Sequence, residues 1–491
     1  MKTNTLDFDA QALRERILDL AMRGKLVPQD PNDEPASVLL EKIKAEKAEL
    51  VKEKKIKKTK ALPAITDDEK LFDIPDSWEW VRLGDIITTI NGDRGKNYPG
   101  KKYWQSTGIP FLNAACLTAD KYIDKAQFNY ISKERFELLR SGFIKKEDIL
   151  YCIRGSLGKV GIVNINNGAI ASSLIIIRKL LANQNMNFLY YVFCSSVNTM
   201  FIDEHRNGTA QPNIPGKDLL KMRIPFPPLS EQSRIAAKIA QLFALLRKVE
   251  SSTQQYAELQ TLLKTKVLDL AMRGKLVKQD PNDEPASVLL EKIKAEKAEL
   301  VKEKKIKKSK PLPPITDEEK PFDIPDSWKW VRISDVLDVR DGTHDTPKYV
   351  ADGIPLITSK NISNGKLDFT NINFISKDDF EKINERSKVD KGDIIFAMIG
   401  TIGNPVLVDT DTKFGIKNVA LLKHFTDKLN MDFILDYLLV LQVIWNSNAT
   451  GAVQKFVSLR KIRKSVLPLP PFKEQKKIVR KIDQIFRMIG E

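Results

Sequence analysis

The stretch LDLAMRGKLV at residues 18–27 is spelled out again, letter for letter, at residues 268–277. Working outward from it, residues 17–86 align with residues 267–336 at 59 identical positions of 70, and beyond position 86 the halves diverge. They nevertheless keep landmarks in one order. GIPFLNAACL (108–117) corresponds to GIPLITSKNI (353–362), and YISKERFELL (130–139) to FISKDDFEKI (374–383). LYCIRGSLGKVGIV (150–163) parallels IFAMIGTIGNPVLV (395–408), setting Gly155 on Gly400 and Gly158 on Gly403. IPFPPLSEQSRIAAKI (224–239) parallels LPLPPFKEQKKIVRKI (467–482). A fixed internal period reveals architecture before any single motif does. Here it gives two related domains separated by related connectors.

The central connector, residues 230–310, resembles the C-terminus at its start (Glu231-Gln232 against Glu474-Gln475) and the N-terminus at its end. Docked termini would therefore complete a second copy, closing a ring with pseudo-twofold symmetry whose two surfaces are free to differ. Within the connector Ile235, Ile239, Leu242, Leu246, Val249, Tyr256, Leu259, Leu263, Val267 and Leu270 recur at helical spacing. About forty residues at 1.5 Å each make a coiled-coil-like rod of ~60 Å. Gly24 and Gly274 read as helix stops, and DPNDEPAS as a turn. Each copy of EKIKAEKAELVKEKKIKK (41–58, 291–308) reads as a helix. In the first, Ala36, Leu40, Ile43 and Leu50 form one stripe, and Glu41/Lys44, Glu49/Lys52 and Glu53/Lys57 pair on the surface. Three uses stay open for it: a solvated arm, phosphate contact through Lys54, Lys55, Lys57 and Lys58, or docking to a partner subunit. Proline-rich segments such as PLPPITDEEKPFDIPDSW (311–328) announce each domain. Inside the domains, β-branched runs (DIITTI, ASSLIIIRK, DIIFAMIG, NPVLVD) alternate with helical ones (FLYYVFCSSVNTMFIDE, MDFILDYLLVLQVIWN). The expected fold is mixed α/β: two similar domains, long helical connectors forming an antiparallel pair, and a circular pseudo-twofold arrangement.

With 491 residues the chain can build two domains with their own cores plus helical spacers. No apolar run approaches the ~18 residues of a membrane span, and MKTNTLDFDA lacks a signal-peptide core; the expected location is cytoplasmic. Cys116, Cys152 and Cys194 are odd in number and unevenly spaced, which supports neither disulfides nor zinc and reads as buried or inert thiols. The net charge of +16 suggests a polyanionic partner. Residues 75–229 carry +7 and residues 325–471 carry +2, so the lysine-rich connectors supply much of the excess.

No active site emerges. GKNYPGKK (95–102) falls one letter short of a phosphate-binding loop, because Lys102 stands where Ser or Thr must hold magnesium. Gly155, Gly158 and Gly161 are three apart, which is not the dinucleotide spacing. His205, His344 and His424 lie far from one another and from any cysteine at ligand spacing. No metal site is expected.

Binding chemistry gathers where the halves differ most. NGDRGKNYPGKKYW (91–104) offers Asn91, Arg94, Lys96, Asn97, Tyr98, Lys101, Lys102 and Tyr103. RDGTHDTPKY (340–349) offers Arg340, Thr343, His344, Asp345, Lys348 and Tyr349 in the same place. Further along stand Arg154, Ser156 and Lys159 against Thr401 and Asn404, with Lys360 and Asn361 in the second half. Later loops bring Arg206, Asn207, Thr209, Gln211, Asn213 and Lys217 against Thr450, Gln454, Lys455, Arg460 and Lys461. Arginine can grip guanine bidentately, Asn and Gln can grip adenine, and Lys, Ser and Thr hold phosphates. The bland alternative for each is loop structure.

The order of helical connector, variable domain ending IPFPPLSEQ, connector, variable domain ending LPLPPFKEQ and helical tail, with GTHDTPKY and LDLAMRGKLV, resembles the specificity subunits of Type I restriction-modification systems across essentially the whole chain. The resemblance implies two target-recognition domains, each reading half of an asymmetric, interrupted DNA sequence. It implies helices that set the spacing and dock two methyltransferase subunits, with restriction subunits beyond them. It also implies a non-catalytic chain: S-adenosylmethionine, ATP and magnesium belong to partner subunits. The domains are then an N-terminal helical region (1–60), a linker (61–74), a first recognition domain (75–229), a central helical region (230–310), a linker (311–324), a second recognition domain (325–471) and a C-terminal helix (472–491). Leu20, Leu26, Leu270 and Leu276 become candidate docking residues. Rival readings are a protein-interaction scaffold without a DNA role and a freestanding DNA enzyme.

Overall fold

The computed structural model describes residues 9–58, 60–206, 212–308, 310–363, 365–398, 402–447 and 456–490, without the side chains of residues 446 and 447. The chain divides into two compact units, over residues 5–253 and residues 254–491.

In the first unit a four-stranded antiparallel sheet has the order Ile87–Asn91, Leu174–Lys179, Ile149–Cys152, Val160–Ile162. Its two middle strands are apolar and buried over residues 149–152 and 174–177 because both faces are covered there. Ile149, Tyr151, Ile175 and Ile177 point into a large core shared with the helices Ala10–Met22, Ala36–Lys52 and Met186–Phe193. Leu150, Cys152, Leu174 and Ile176 point the other way, into a second core. A smaller sheet joins Asn129–Ile131, Ile109–Leu112 and Ala169–Ile170. The strand Glu79–Arg82 lies antiparallel to Arg223–Phe226, Glu79 opposite Phe226, so the chain enters and leaves the domain side by side.

The second unit repeats the plan. Leu337–Asp341, Val419–His424, Ile394–Ala397 and Gly403–Leu407 form its antiparallel sheet, and Lys329–Arg332 pairs with Val466–Leu469. Its smaller sheet orders Tyr349–Val350, Asn373–Ile375, Ile354–Ile357 and Gly415–Ile416. Alternation again sorts Ile394 and Phe396 from Ile395 and Leu421 into separate cores.

The helix Leu229–Met272 is continuous over 44 residues, as the connector's periodicity predicts. In the first unit Ala10–Met22 runs antiparallel to its beginning: Arg14 bonds Glu250 at 2.9 Å, and Gln29, just past the other end, bonds Glu231 at 2.6 Å. In the second unit Phe472–Ile489 runs antiparallel to its end, with the Gln260 amide donating to the Ile489 carbonyl at 2.5 Å and Gln279 bonding Glu474 at 2.6 Å. Gly24 and Gly274 stop their helices at φ +68° and +66°, and a Cβ on either would stand 2.4 Å from Pro75 or Pro325. Only glycine serves both demands.

Several expectations need correction. DIITTI is a strand only from Ile87, since Leu83–Ile86 form a helical turn. The apolar run after Asn185 is two helices, because Ser195 interrupts it and caps Ser196–His205 by accepting from the Val197 amide. The lysine-rich helices end at Lys52 and Lys302 rather than running through residues 58 and 308. Their buried stripe is Ala36, Leu39 and Ile43, with Leu40 and Leu50 only partly covered. Glu41–Lys44 and Glu49–Lys52 pair at 2.7 and 3.3 Å, but Glu53 takes Lys55 at 2.8 Å once the helix has ended. Cys116 and Cys152 are buried, whereas Cys194 is exposed. Among the described residues no helix is long and apolar enough to cross a membrane.

Candidate nucleic-acid interface

Each unit holds its domain to its helices by the same buried cluster. In the first, the Trp78 indole donates to Glu231 at 2.9 Å, and Gln29 donates to the other carboxylate oxygen. In the second, Trp328 donates to Glu474 at 3.0 Å and Gln279 takes Gln29's place. Burial pushes both carboxyls up, and the indole and amide donors pull them back. The adjoining Gln232 and Gln475 donate to the carbonyls of Pro227 and Pro470 at 2.8 and 2.9 Å. The Glu-Gln pair of both connectors therefore belongs to this joint, a role its repetition signalled but its residue types did not.

From that base the first domain's loops converge. Strand Ile87–Asn91 ends at Gly92, whose Cβ position would lie 2.7 Å from the Ile170 carbonyl oxygen, so the chain can turn there only as glycine. Asp93 then organises the loop: its carboxylate accepts the Gly95 amide at 2.6 Å and the Arg140 amide at 2.8 Å. Those two backbone donors, first Gly95 and then Arg140, hold its pKa below the usual carboxylate range. A second approach comes from residues 153–155, which pair with residues 212–214: Gly155 donates to the Pro212 carbonyl and Ile214 to the Ile153 carbonyl, both at 3.0 Å. Arg154 thus stands directly opposite Asn213.

The outcome is a cleft of about 330 Å³ that gathers Asn91, Arg94, Arg154, Asn213 and Lys217 from three separate stretches of sequence. Among the described residues the Arg94, Arg154 and Lys217 side chains have no hydrogen-bond or ion-pair partner. Two guanidinium groups, two amides and an ammonium in one concavity present donors for guanine edges and phosphates and both amide functions for adenine. Ser156 and Lys159 are exposed beside it in sequence.

Other first-domain candidates are partly committed to structure. Asn97 donates to the Leu138 carbonyl at 3.3 Å, and Tyr98 packs edge-on against Phe111 at 5.8 Å. Tyr103 is covered by Arg135 at 4.0 Å and Lys102 at 5.0 Å. Lys96 and Lys101 are exposed. Arg206 is exposed and lies 3.8 Å from Asp203. Asn207, Thr209, Gln211, Thr401, Thr450, Gln454 and Lys455 lie outside the described residues.

The second domain uses the same turn differently. Gly342 repeats Gly92, its Cβ position 2.6 Å from the Ile416 carbonyl oxygen, which sets His344 rather than Arg340 at the position of Arg94. Arg340 lies within strand Leu337–Asp341 and pairs with Asp338 at 2.7 Å. The exposed His344 ring lies between Asn418 Oδ1 and Asp341 Oδ2, each 3.1 Å away, and Arg386 approaches Asp341 at 3.6 Å. Thr343 bridges to Lys417, which bonds Thr346. Asn418, Asp341 and Arg386 were missed in sequence, although Asp341 aligns with Asn91. Asp345, Lys348, Tyr349 and Lys360 are exposed.

Asn361 departs from expectation. It is buried, donating to the carbonyls of Asp368 and Asn371 at 3.2 Å and accepting from the Thr358 amide at 3.1 Å, so its amide is occupied by its own loop. Asn404, at φ +48°, donates its backbone N–H to Gln442 at 2.9 Å. Arg460 and Lys461 border a different depression, with Tyr437 and Trp445. Leu20, Leu26, Leu270 and Leu276 are half-buried, and Leu26 and Leu276 pack on the cores of their own units. No group of three metal-ligating side chains occurs among the described residues.

Residues 75–261 and 325–490 both match the family model described as the Type I restriction modification DNA specificity domain. The chain belongs to that family. This specificity subunit is 32% identical to the Type I restriction enzyme EcoAI specificity subunit of Escherichia coli, an alignment covering 98% of this chain and 89% of that one. It is 36% identical to the EcoEI specificity subunit of the same organism over 67% of this chain and 62% of that one. A solved chain described as the structural basis underlying complex assembly and conformational transition of the type I R-M system shares the fold at a TM-score of 0.56. Its identity is 20%, over 85% of this chain and 92% of the other.

Proposed function

We propose that this specificity subunit reads an asymmetric, two-part DNA target, one half by each domain. The two near-identical repeats dock two copies of an adenine-N6 methyltransferase subunit, through which restriction subunits join. The central helix and its antiparallel partners set the spacer between half-sites, in a circular, pseudo-twofold arrangement. The chain itself catalyses nothing; S-adenosylmethionine, ATP and magnesium are used on the partners, and the complex works in the cytoplasm.

The observation that carries this reading is the first-domain cleft. Arg94, Arg154, Asn91, Asn213 and Lys217 converge on the same framework that, in the second domain, presents His344 with Asp341 and Asn418. One scaffold with two chemically different loop sets is what two different half-sites require.

Single-molecule mapping of N6-methyladenine in cells carrying the complete system tests it. The wild-type chain should yield one interrupted motif. Arg94→Ala should relax discrimination at a single base of one half by about 1–3 kcal/mol and leave the other half and the spacer unchanged. Relaxation in both halves would refute independent reading, and uniform weakening over all sequences would make Arg94 a phosphate contact.

A further inference from the structure

Residues 29–58 recur without one change as residues 279–308, a stretch of thirty. Burial accounts for only part of that identity. Each lysine-rich helix buries three residues, Ala36, Leu39 and Ile43 in one and Ala286, Leu289 and Ile293 in the other. Most of the remaining positions could vary at little cost to folding.

After each helix the chain turns through a lysine in the left-handed region, Lys54 at φ +58° and Lys304 at φ +60°. In the first repeat, Lys58 and Lys60 beyond this turn join Lys44, Lys47 and Lys52 around a groove of about 510 Å³. Its apolar lining includes Ala48, Val51, Leu62 and Leu220. Lys47 is tied into the wall, donating to the Gly84 carbonyl at 2.6 Å, and Lys297 makes the matching bond to Ser334 at 2.6 Å. Lys58 and Lys60 have no hydrogen-bond or ion-pair partner among the described residues. Among the described residues Asp85 is the one carboxylate lining the groove, while Lys44 and Lys52 pair with Glu41 and Glu49 on the helix itself at 2.7 and 3.3 Å. The second repeat carries the same lysines as Lys294, Lys297, Lys302, Lys308 and Lys310, with Leu312 matching Leu62.

We propose that each lysine-rimmed groove seats an acidic, amphipathic segment of the same partner subunit, its carboxylates against the rim and its apolar side chains on the floor. The proposal rests on the reading that the repeats dock two copies of one partner. The five lysines, Ala48, Val51 and Leu62 recur unchanged, while Pro311, Ser334 and Arg463 stand where the first repeat has Ala61, Gly84 and Leu220. The shared rim and the shared part of the floor mean that the occupant is the same on both sides and indifferent to the half-site being read. The apolar floor selects a polypeptide over a DNA backbone, because phosphates would satisfy the lysines and leave that surface uncovered.

The test uses the full chain assembled with its methyltransferase and restriction subunits. Lys58→Glu with Lys60→Glu, Lys308→Glu with Lys310→Glu, and all four together are compared with wild type. Native mass spectrometry reads composition, and titration against non-target duplex is run at several salt concentrations. Each pair should weaken one copy of one partner subunit at least tenfold, and the four together both copies, with duplex affinity and its salt dependence unchanged. Val51→Ser with Val301→Ser, which keeps every charge, should weaken the same partner at all salt concentrations. Unchanged composition in every variant overturns the proposal. Unchanged composition with a uniform loss of duplex affinity and a shallower salt slope assigns the grooves to DNA backbone instead. A wild-type complex lacking two copies of any partner would refute the docking reading itself, and that result is seen before any variant is made.

Discussion

Residues 17–86 and 267–336 fold alike down to single hydrogen bonds, whereas the loops that follow, from Asn91 and from Asp341, share little beyond a glycine. The repeats are tied to their domains by side chains far apart in sequence: Trp78 reaches Glu231 across 153 positions and Trp328 reaches Glu474 across 146. The loops are fastened to the sheets by backbone, through the close approach of Gly92 to Ile170 and of Gly342 to Ile416. That difference separates the work. Side chains fix the scaffold, and a backbone anchor holds each loop, so the side chains beyond it can change between domains while the frame stays constant.

The strongest way to break the comparison is at the joint. Trp78→Ala and Trp328→Ala should each cost about 3–5 kcal/mol by cavity formation, and each also strips a donor from a buried carboxylate. Urea unfolding followed by fluorescence of the remaining tryptophans should find equal losses. A cheap substitution on one side and a costly one on the other would mean that the two joints are alike in geometry only.

Much of this frame was legible in sequence. The repeat boundaries, the helix stops at Gly24 and Gly274, the long central helix and the apolar strands all rest on local signals: identity, periodicity and glycine. What was not legible depends on contacts between distant segments. The cleft forms only because residues 153–155 pair with 212–214, which no local pattern announces. Asn361 looked like a loop amide free for DNA, and its burial follows from carbonyls that only the folded turn supplies. Arg340, a candidate for DNA contact, proves to lie within a strand and to pair with Asp338, a local ion pair that its loop-like neighbours do not announce. The end of each lysine-rich helix was hidden because nothing in the composition of residues 52–58 changes where the backbone turns.

A second, pH-dependent effect sharpens where the units part. The helices Met186–Phe193 and Met431–Ser447 begin identically, with Asn185 and Asn430 each accepting an amide three residues on at 3.0 Å. One turn later Tyr191 packs edge-on against Phe243 at 6.0 Å, and the matching position holds Asp436, close to Asp483 and Asp432. Burial, with those two neighbouring carboxylates, pushes the Asp436 pKa up to about 8. An acid whose folded pKa lies above its unfolded value holds a proton that unfolding releases, so stability falls as pH rises from about 4 towards 8 and then levels off. Asp436→Asn should remove that slope. Its gain should be on the order of 5 kcal/mol at pH 8 and near zero at pH 4. Thermal unfolding at the two pH values checks it, and an equal gain at both would mean that the site suffers from packing rather than charge.

The smallest expected effect bears most directly on why the repeats are identical. Lys44 and Glu41 pair at 2.7 Å with both side chains more than half exposed, and Lys294 and Glu291 do the same at 2.9 Å. Exposed pairs three residues apart on a helix contribute a few tenths of a kcal/mol. Lys44→Ala and Lys294→Ala should therefore shift unfolding by less than about 0.5 kcal/mol each, measured by urea titration of the full chain. A loss several times larger in either would tie the identity of the repeats to folding. A negligible loss in both leaves a surface held identical for something other than stability.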